Sequence, residues 1–171
     1  KRRTWRKLHL GVNEATGEIV SGVVTTNDVS DSQAFSELLD GVDGEIAQVS
    51  GDGAYDKYKC YQKANQLGAK VTIPPRKNAV IGQHGNCKCP PHPRDENLRR
   101  IRKVGRKKWK HESGYHRRSL SETTMFRLKV SFGGQLRRRK FDNQAVELFI
   151  QCAMLNRMIQ TGKPKSHKVK I

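Results

Sequence analysis

A chain of 171 residues is long enough for one domain with a sizeable core, and its apolar and glycine content lies near the globular norm, which excludes a purely disordered basic tail. A net charge of +18 and a pI near 10.2 fit poorly with a binder of small neutral ligands and suit a polyanion, nucleic acid first, whose counterions are released on binding. No 18-residue apolar window and no secretory h-region can be read, so the chain is expected to be cytoplasmic and free of membrane contact. Cys60, Cys87, Cys89 and Cys152 are too few and too irregularly spaced for a disulfide framework, and reduced thiols are expected.

In chain order, Lys7 to Val12 alternates, with Leu8, Leu10 and Val12 on one face, and the β-branched run from Glu18 to Thr26 follows a turn, "NEATG"; together they predict a hairpin. Ser30 and Gln33 form a capping box for a first helix over about 31–41. A short apolar run, Ile46 to Ser50, ends in "GDGAYD". A second helix is expected from Asp56 to Leu67, with Tyr61, Ala64 and Leu67 on one side, and then a strand, "AKVTIPP", stopped by prolines. The order β-β-α-β-α-β predicts a mixed α/β sheet, parallel neighbours on one side and an antiparallel hairpin on the other.

From 76 to about 94 the sequence is aperiodic and reads as a loop insertion. Arg94 to Lys140 holds half of all Lys and Arg, including Arg106, Lys107 and Lys108, and is the expected polyanion face. A last helix over about 143–160, apolar at 145, 148, 149, 152, 155 and 159, should pack on the sheet, and the basic tail over 161–171 should be mobile. The whole is read as a single domain, 1–160, plus that tail.

Three groups of residues invite chemistry. Asp52 stands where a strand ends between Gly51 and Gly53, which would let a ligand or metal approach the backbone; an ordinary turn aspartate is the plain alternative. Tyr115, Arg118, Glu122 and Lys129, taken as one helix, fall at about 0°, 300°, 340° and 320°, a stripe roughly 60° wide. Apolar neighbours suggest that this helix is enclosed, so Glu122 needs either an ion-pair partner or a metal such as magnesium, with the basic residues on a phosphate. His84, Cys87, Cys89 and His92 could offer zinc ligands, although a tight Cys-x-Cys in one short loop fits an exposed insertion better. Trp5 and Trp109, inside basic runs, could stack on bases or cover a core edge.

The spacing Y-x2-R-x3-E-x6-K resembles the signature of the DDE transposases of bacterial insertion sequences, and "SGDGAYD" resembles the segment carrying their second catalytic aspartate. The resemblance extends from "RRTWRKLHLGVN" to "FDNQAVELFIQCAMLNRM". It implies a ribonuclease-H-like fold and a two-magnesium site, with Asp52 as second acid and Glu122 as third. Arg118 and Lys129 would contact DNA, supported by Tyr115. The implied reaction is cleavage and strand transfer at terminal inverted repeats and target DNA, with a homodimer as one assembly it allows. In that family the first aspartate lies on a strand before the hairpin. No Asp precedes Asp28 here, and Asn13 is misplaced and a poor metal ligand. The expectation is therefore a truncated copy without the opening strand and first acid, with a non-catalytic DNA-binding remnant or a basic RNA-binding protein as rivals.

Overall fold

The computed structural model describes residues 5–83 and 88–162. His84 and Cys87, and all of the expected tail except Thr161 and Gly162, lie outside the described residues. The hairpin forms as expected: β1 (Arg6–Val12) pairs antiparallel with β2 (Ile19–Thr26), with a register shift at Gly11/Val12. Leu8, Leu10 and Val12 pack together with Leu128, Cys152 and Leu155 of two later helices. Helix α1 (Asp31–Asp40) starts at the anticipated capping box, in which Gln33 Oε1 accepts from the Ser30 backbone N–H at 2.8 Å. It buries Ala34, Phe35, Leu38 and Leu39.

Strand β3 (Gln48–Ser50) pairs parallel with β4 (Lys70–Thr72), and α2 (Tyr58–Gln66) is the crossover between them. A 3-10 turn at Gly53–Tyr55 precedes α2. Tyr61 and Ala64 are wholly buried beside Phe35, Val71 and Ile73, and Tyr61 donates its hydroxyl to the Ile73 carbonyl at 3.0 Å. Leu67 departs from expectation: it falls at the C-terminal cap, where the helix ends, and is 41% exposed.

The strands do not join into the single mixed sheet that their order predicts. They form two separate two-stranded sheets, β1–β2 and β3–β4. Helix α1 touches both β1–β2 and the turn and helix that follow β3, which holds the halves side by side. Their outer edges are closed by side chains. Asn156 bonds both the N–H and the C=O of Ile19 (2.8 and 2.7 Å), and Asn97 donates to the Val71 carbonyl at 3.0 Å. No described strand pairs with the second edge of β1 or of β3.

The basic segment is more ordered than its composition suggests. The loop from 76 ends at α3 (Pro93–Val104), which starts with proline in its first turn and with His92 Nδ1 accepting from the Arg94 N–H at 3.3 Å. Gly105 alone separates α3 from α4 (Arg106–Glu112), at φ 84° and ψ 151°. Asp56 and Arg94 anchor the loop. The carboxylate, fully buried, accepts from Arg94 Nε (2.8 Å) and Nη2 (3.3 Å) and from the Arg76 N–H (2.9 Å). Asp95 accepts from the Gly82 and Gln83 N–H groups at 3.0 and 2.7 Å.

The expected continuous helix over 115–129 is instead a 3-10 turn, Tyr115–Arg118, running into α5 (Ser119–Phe132). The last helix, α6 (Phe141–Thr161), buries Leu148, Cys152 and Leu155 as predicted, but Phe149 stays 44% exposed at the flank of its packed face.

Candidate functional site

The 3-10 turn tightens the stripe. Residues i and i+3 eclipse in such a turn, so Arg118 stands over Tyr115, its guanidinium 5.1 Å from the ring centroid. Lys110 Nζ lies 4.9 Å from the same centroid, and the Trp109 ring is 6.2 Å away. Tyr115 is 7% exposed, so it acts as a platform under two cations. Trp109 is buried and covers the core, whereas Trp5 is exposed.

Arg118 Nη1 donates to Glu122 Oε1 at 2.6 Å, one helical turn on. Partial burial works against the guanidinium charge, but the bonds to Glu122 and Tyr115 outweigh it and raise the Arg118 pKa above its ordinary value. The expectation of an enclosed helix is corrected here. The Glu122 side chain is 63% exposed and Phe126 is 67% exposed, because α5 turns only its Thr124–Leu128 face inward. Desolvation therefore places no demand on Glu122, and the salt bridge suffices as a partner.

What Glu122 faces is a cleft of about 440 Å³ bounded by β1 (Leu8, His9, Leu10), by Asp31, by Tyr55 and by the α5 side chains from Ser121 to Lys129. It lies along β1, beside α1 and the 3-10 turn that follows β3. Lys129 lines it and makes no ion pair with a described residue.

Asp52 is at the other half-sheet. It caps the 3-10 turn, accepting from the Ala54 N–H at 2.8 Å, and it does not line the cleft. Tyr55 stands between the two regions: burial first, then the charges of Asp31 and Asp52, push its phenol up to about 12. The close approach at Gly51 is made by protein, since a Cβ there would lie 2.9 Å from Tyr55 Cδ2.

Among the described residues no three His, Cys, Asp or Glu side chains converge closely enough to hold a metal ion. Asp52 and Glu122, one capping a turn and the other paired with arginine, do not make a magnesium site by themselves. The zinc reading rests in part on His84 and Cys87, outside the described residues; Cys89 is exposed and His92 packs against Tyr58 and Tyr61. Cys60 and Cys152 are free and buried, and burial pushes the Cys152 thiol up to about 11.

The three basic residues expected at the polyanion face diverge. Arg106 turns back to donate to the Pro75 carbonyl at 2.7 Å and to the Arg76 carbonyl at 3.5 Å. Lys107 and Lys108 are exposed, and Lys108 has only a loose contact with Glu112 at 3.9 Å.

Sequence reasoning missed His9 and Asp31. His9 is buried, with Nε2 2.9 Å from Thr25 Oγ1 and Nδ1 3.4 Å from Asp31. Burial lowers its pKa, with Asp31 pulling the other way. A histidine between two inward leucines of a strand was the available signal.

Fold and site together define a basic mixed α/β domain whose acidic and basic side chains meet at an open cleft. The chain belongs to the transposase DDE domain family, whose model matches residues 1–157. That membership implies a ribonuclease-H-like fold and DNA as partner. No solved structure matches the chain. No helix among the described residues is long and apolar enough to cross a membrane.

Proposed function

We propose that this chain is the DNA-handling part of a transposase catalytic domain, and that strand cutting requires one more carboxylate, carried by an extended strand entering the cleft beside β1. The observation that supports this most is the pair of free edges, of β1 and β3, with which no described strand pairs, in two half-sheets that α1 bridges. An extended segment placed there could take up backbone hydrogen bonds from both, as in strand addition. It would run past Glu122, with Asp52 on the far half-sheet.

In this reading Glu122 is the third acid and Asp52 the second. Together with the further carboxylate they would hold divalent ions, which would supply Lewis-acid activation for phosphoryl transfer. The chain's own contribution is positioning. Arg118 is held by the Tyr115 ring and by Glu122, and Lys129 lies further along α5 on the same side, so both present charge to a phosphate backbone. Lys107 and Lys108 extend the basic surface.

The test uses duplex DNA carrying the inverted repeats that flank the chain's own gene, with magnesium or manganese. The chain should bind these ends in preference to unrelated duplex, and should not nick them. Nicking that Glu122→Gln abolishes would refute the need for a further acid. Equal affinity for unrelated DNA or RNA would refute the assignment to element ends.

A further inference from the structure

Trp5, unlike Trp109, covers no core: it is 65% exposed and meets no ring or cation among the described residues. A lone exposed apolar side chain needs no explanation by itself. Its surroundings give it one. Arg6, next in the chain, donates from Nε to Gln144 Oε1 at 2.8 Å and lies over the Phe141 ring, 5.2 Å from its centroid. The same carboxamide donates from Nε2 to the Arg138 carbonyl at 2.9 Å. Gln144 thus ties the start of β1 to the run Arg137, Arg138, Arg139 and Lys140.

That run is fixed by its backbone and not by its charges. Glu147 accepts from the Arg137 and Arg138 N–H groups at 3.0 and 3.1 Å, while all four basic side chains are exposed and none forms an ion pair with a described residue. Asp142, in the first turn of α6, is the neighbouring acid besides Glu147. The patch lies at the opposite end of β1 from the Arg118–Glu122 pair. Strand β1 spans about 20 Å from Arg6 to Val12. Beyond Val12 the hairpin turn holds Arg117 through Glu14 at 2.5 Å, which places the start of α5 at that far end.

Chemistry selects the occupant. Exposed cations at this density suit a phosphate backbone. An indole standing in water beside them adds a stacking face. Base pairs inside a duplex are stacked on one another and show their faces only at its ends, whereas every base of a single strand has a face to offer. We propose that Trp5 and the run Arg137 to Lys140 form a second nucleic-acid site, one that takes single-stranded DNA, with a base on the Trp5 ring and the flanking phosphates on the arginines. Arg6, held by Gln144 and Phe141, fixes where the platform stands. DNA, rather than RNA, follows from the family to which the chain belongs. The site is separate from the cleft and stands whether or not Glu122 takes part in cutting.

The test is titration of the full chain with oligothymidylate beside a blunt duplex of equal length, using labelled strands for anisotropy and unlabelled ones for tryptophan emission. Oligothymidylate should quench a part of the emission that Trp5→Phe removes, since Trp109 is buried. Trp5→Ala should weaken oligothymidylate binding about fivefold or more, with Trp5→Phe retaining most of it. Neither change should alter duplex affinity or the thermal midpoint, because the side chain lies largely in water. Arg138→Ala combined with Arg139→Ala should reduce the salt slope for oligothymidylate by about 1.4. Oligothymidylate affinity untouched by Trp5→Ala, an equal loss of affinity for the blunt duplex, or tighter and equally Trp5-dependent binding of oligouridylate would each overturn the assignment.

Discussion

Replacing Asp56 with asparagine should be the most damaging of the near-isosteric changes in this chain. The Asp56 side chain is fully buried and its partner Arg94 is 13% exposed, so little water is present to screen either charge. Removing one member of such a pair strands the other, at a cost of about 3–5 kcal/mol. Asparagine keeps the volume and can still accept one of the three donated hydrogen bonds, which places Asp56→Asn near the lower limit. With a urea slope of about 2 kcal/mol per molar, a loss of about 3 kcal/mol moves the midpoint by about 1.5 M at unchanged slope. Arg94→Met added to Asp56→Asn should recover part of the loss, because the stranded charge is then gone. Urea titration followed by fluorescence or circular dichroism measures all four corners of the cycle. A shift below about 0.3 M for Asp56→Asn, or strictly additive single changes, would refute the claim that this pair anchors the turn and the loop.

Other expectations are as concrete. Gly51→Ala should cost about 1–3 kcal/mol by forcing the Tyr55 ring off Phe35, lowering the melting temperature by about 2–4 °C per kcal/mol, whereas Gly53→Ala, whose nearest neighbour is the Pro74 carbonyl at 3.9 Å, should be almost silent. Equal melting temperatures for the two variants would contradict that packing. Arg118→Ala should weaken DNA binding and reduce the salt slope by about one unit in a fluorescence anisotropy titration, and an unaltered slope would remove Arg118 from phosphate contact. Burial lowers the pKa of His9 and of His92, so the unfolded chain binds the extra protons. Stability is then full above the unfolded value near 6.5 and declines as pH falls toward the folded values, by at most about 1.4 kcal/mol per pH unit for each imidazole. His9→Gln should flatten that decline in urea midpoints taken over this window, and a midpoint that rises on acidification would show the sign to be wrong.

Local patterns carried well from sequence to structure. Alternation at Leu8, Leu10 and Val12 placed the hairpin, and the Ser30/Gln33 pair placed the start of α1 to the residue. Helices α3 and α4 were hidden because their apolar positions are few, Leu98 and Trp109 being the main buried ones, so arginines and lysines dominate the pattern. The stripe through Glu122 was legible as spacing, but its exposure was not. Phe126 and Met125 suggested burial, although what decides burial is which neighbour lies opposite, and opposite this face lies a cleft. The separation of the strands into two sheets was equally invisible, since pairing is a non-local property that strand order alone does not fix.

Gly105 joins α3 to α4 through one residue in a region of torsion space open essentially to glycine alone. Space is no obstacle there, because an added Cβ would meet nothing within 4 Å. The constraint is purely directional. With α4 about 10 Å long, each degree of rotation at that joint swings its far end by about 0.2 Å. The aim of Lys107 and Lys108 is thus encoded in two angles of a residue held only through its backbone, its N–H on the Ile101 carbonyl at 2.8 Å and its carbonyl under the Trp109 N–H at 3.0 Å, and a change at this position would redirect the basic helix and carry the buried Trp109 with it.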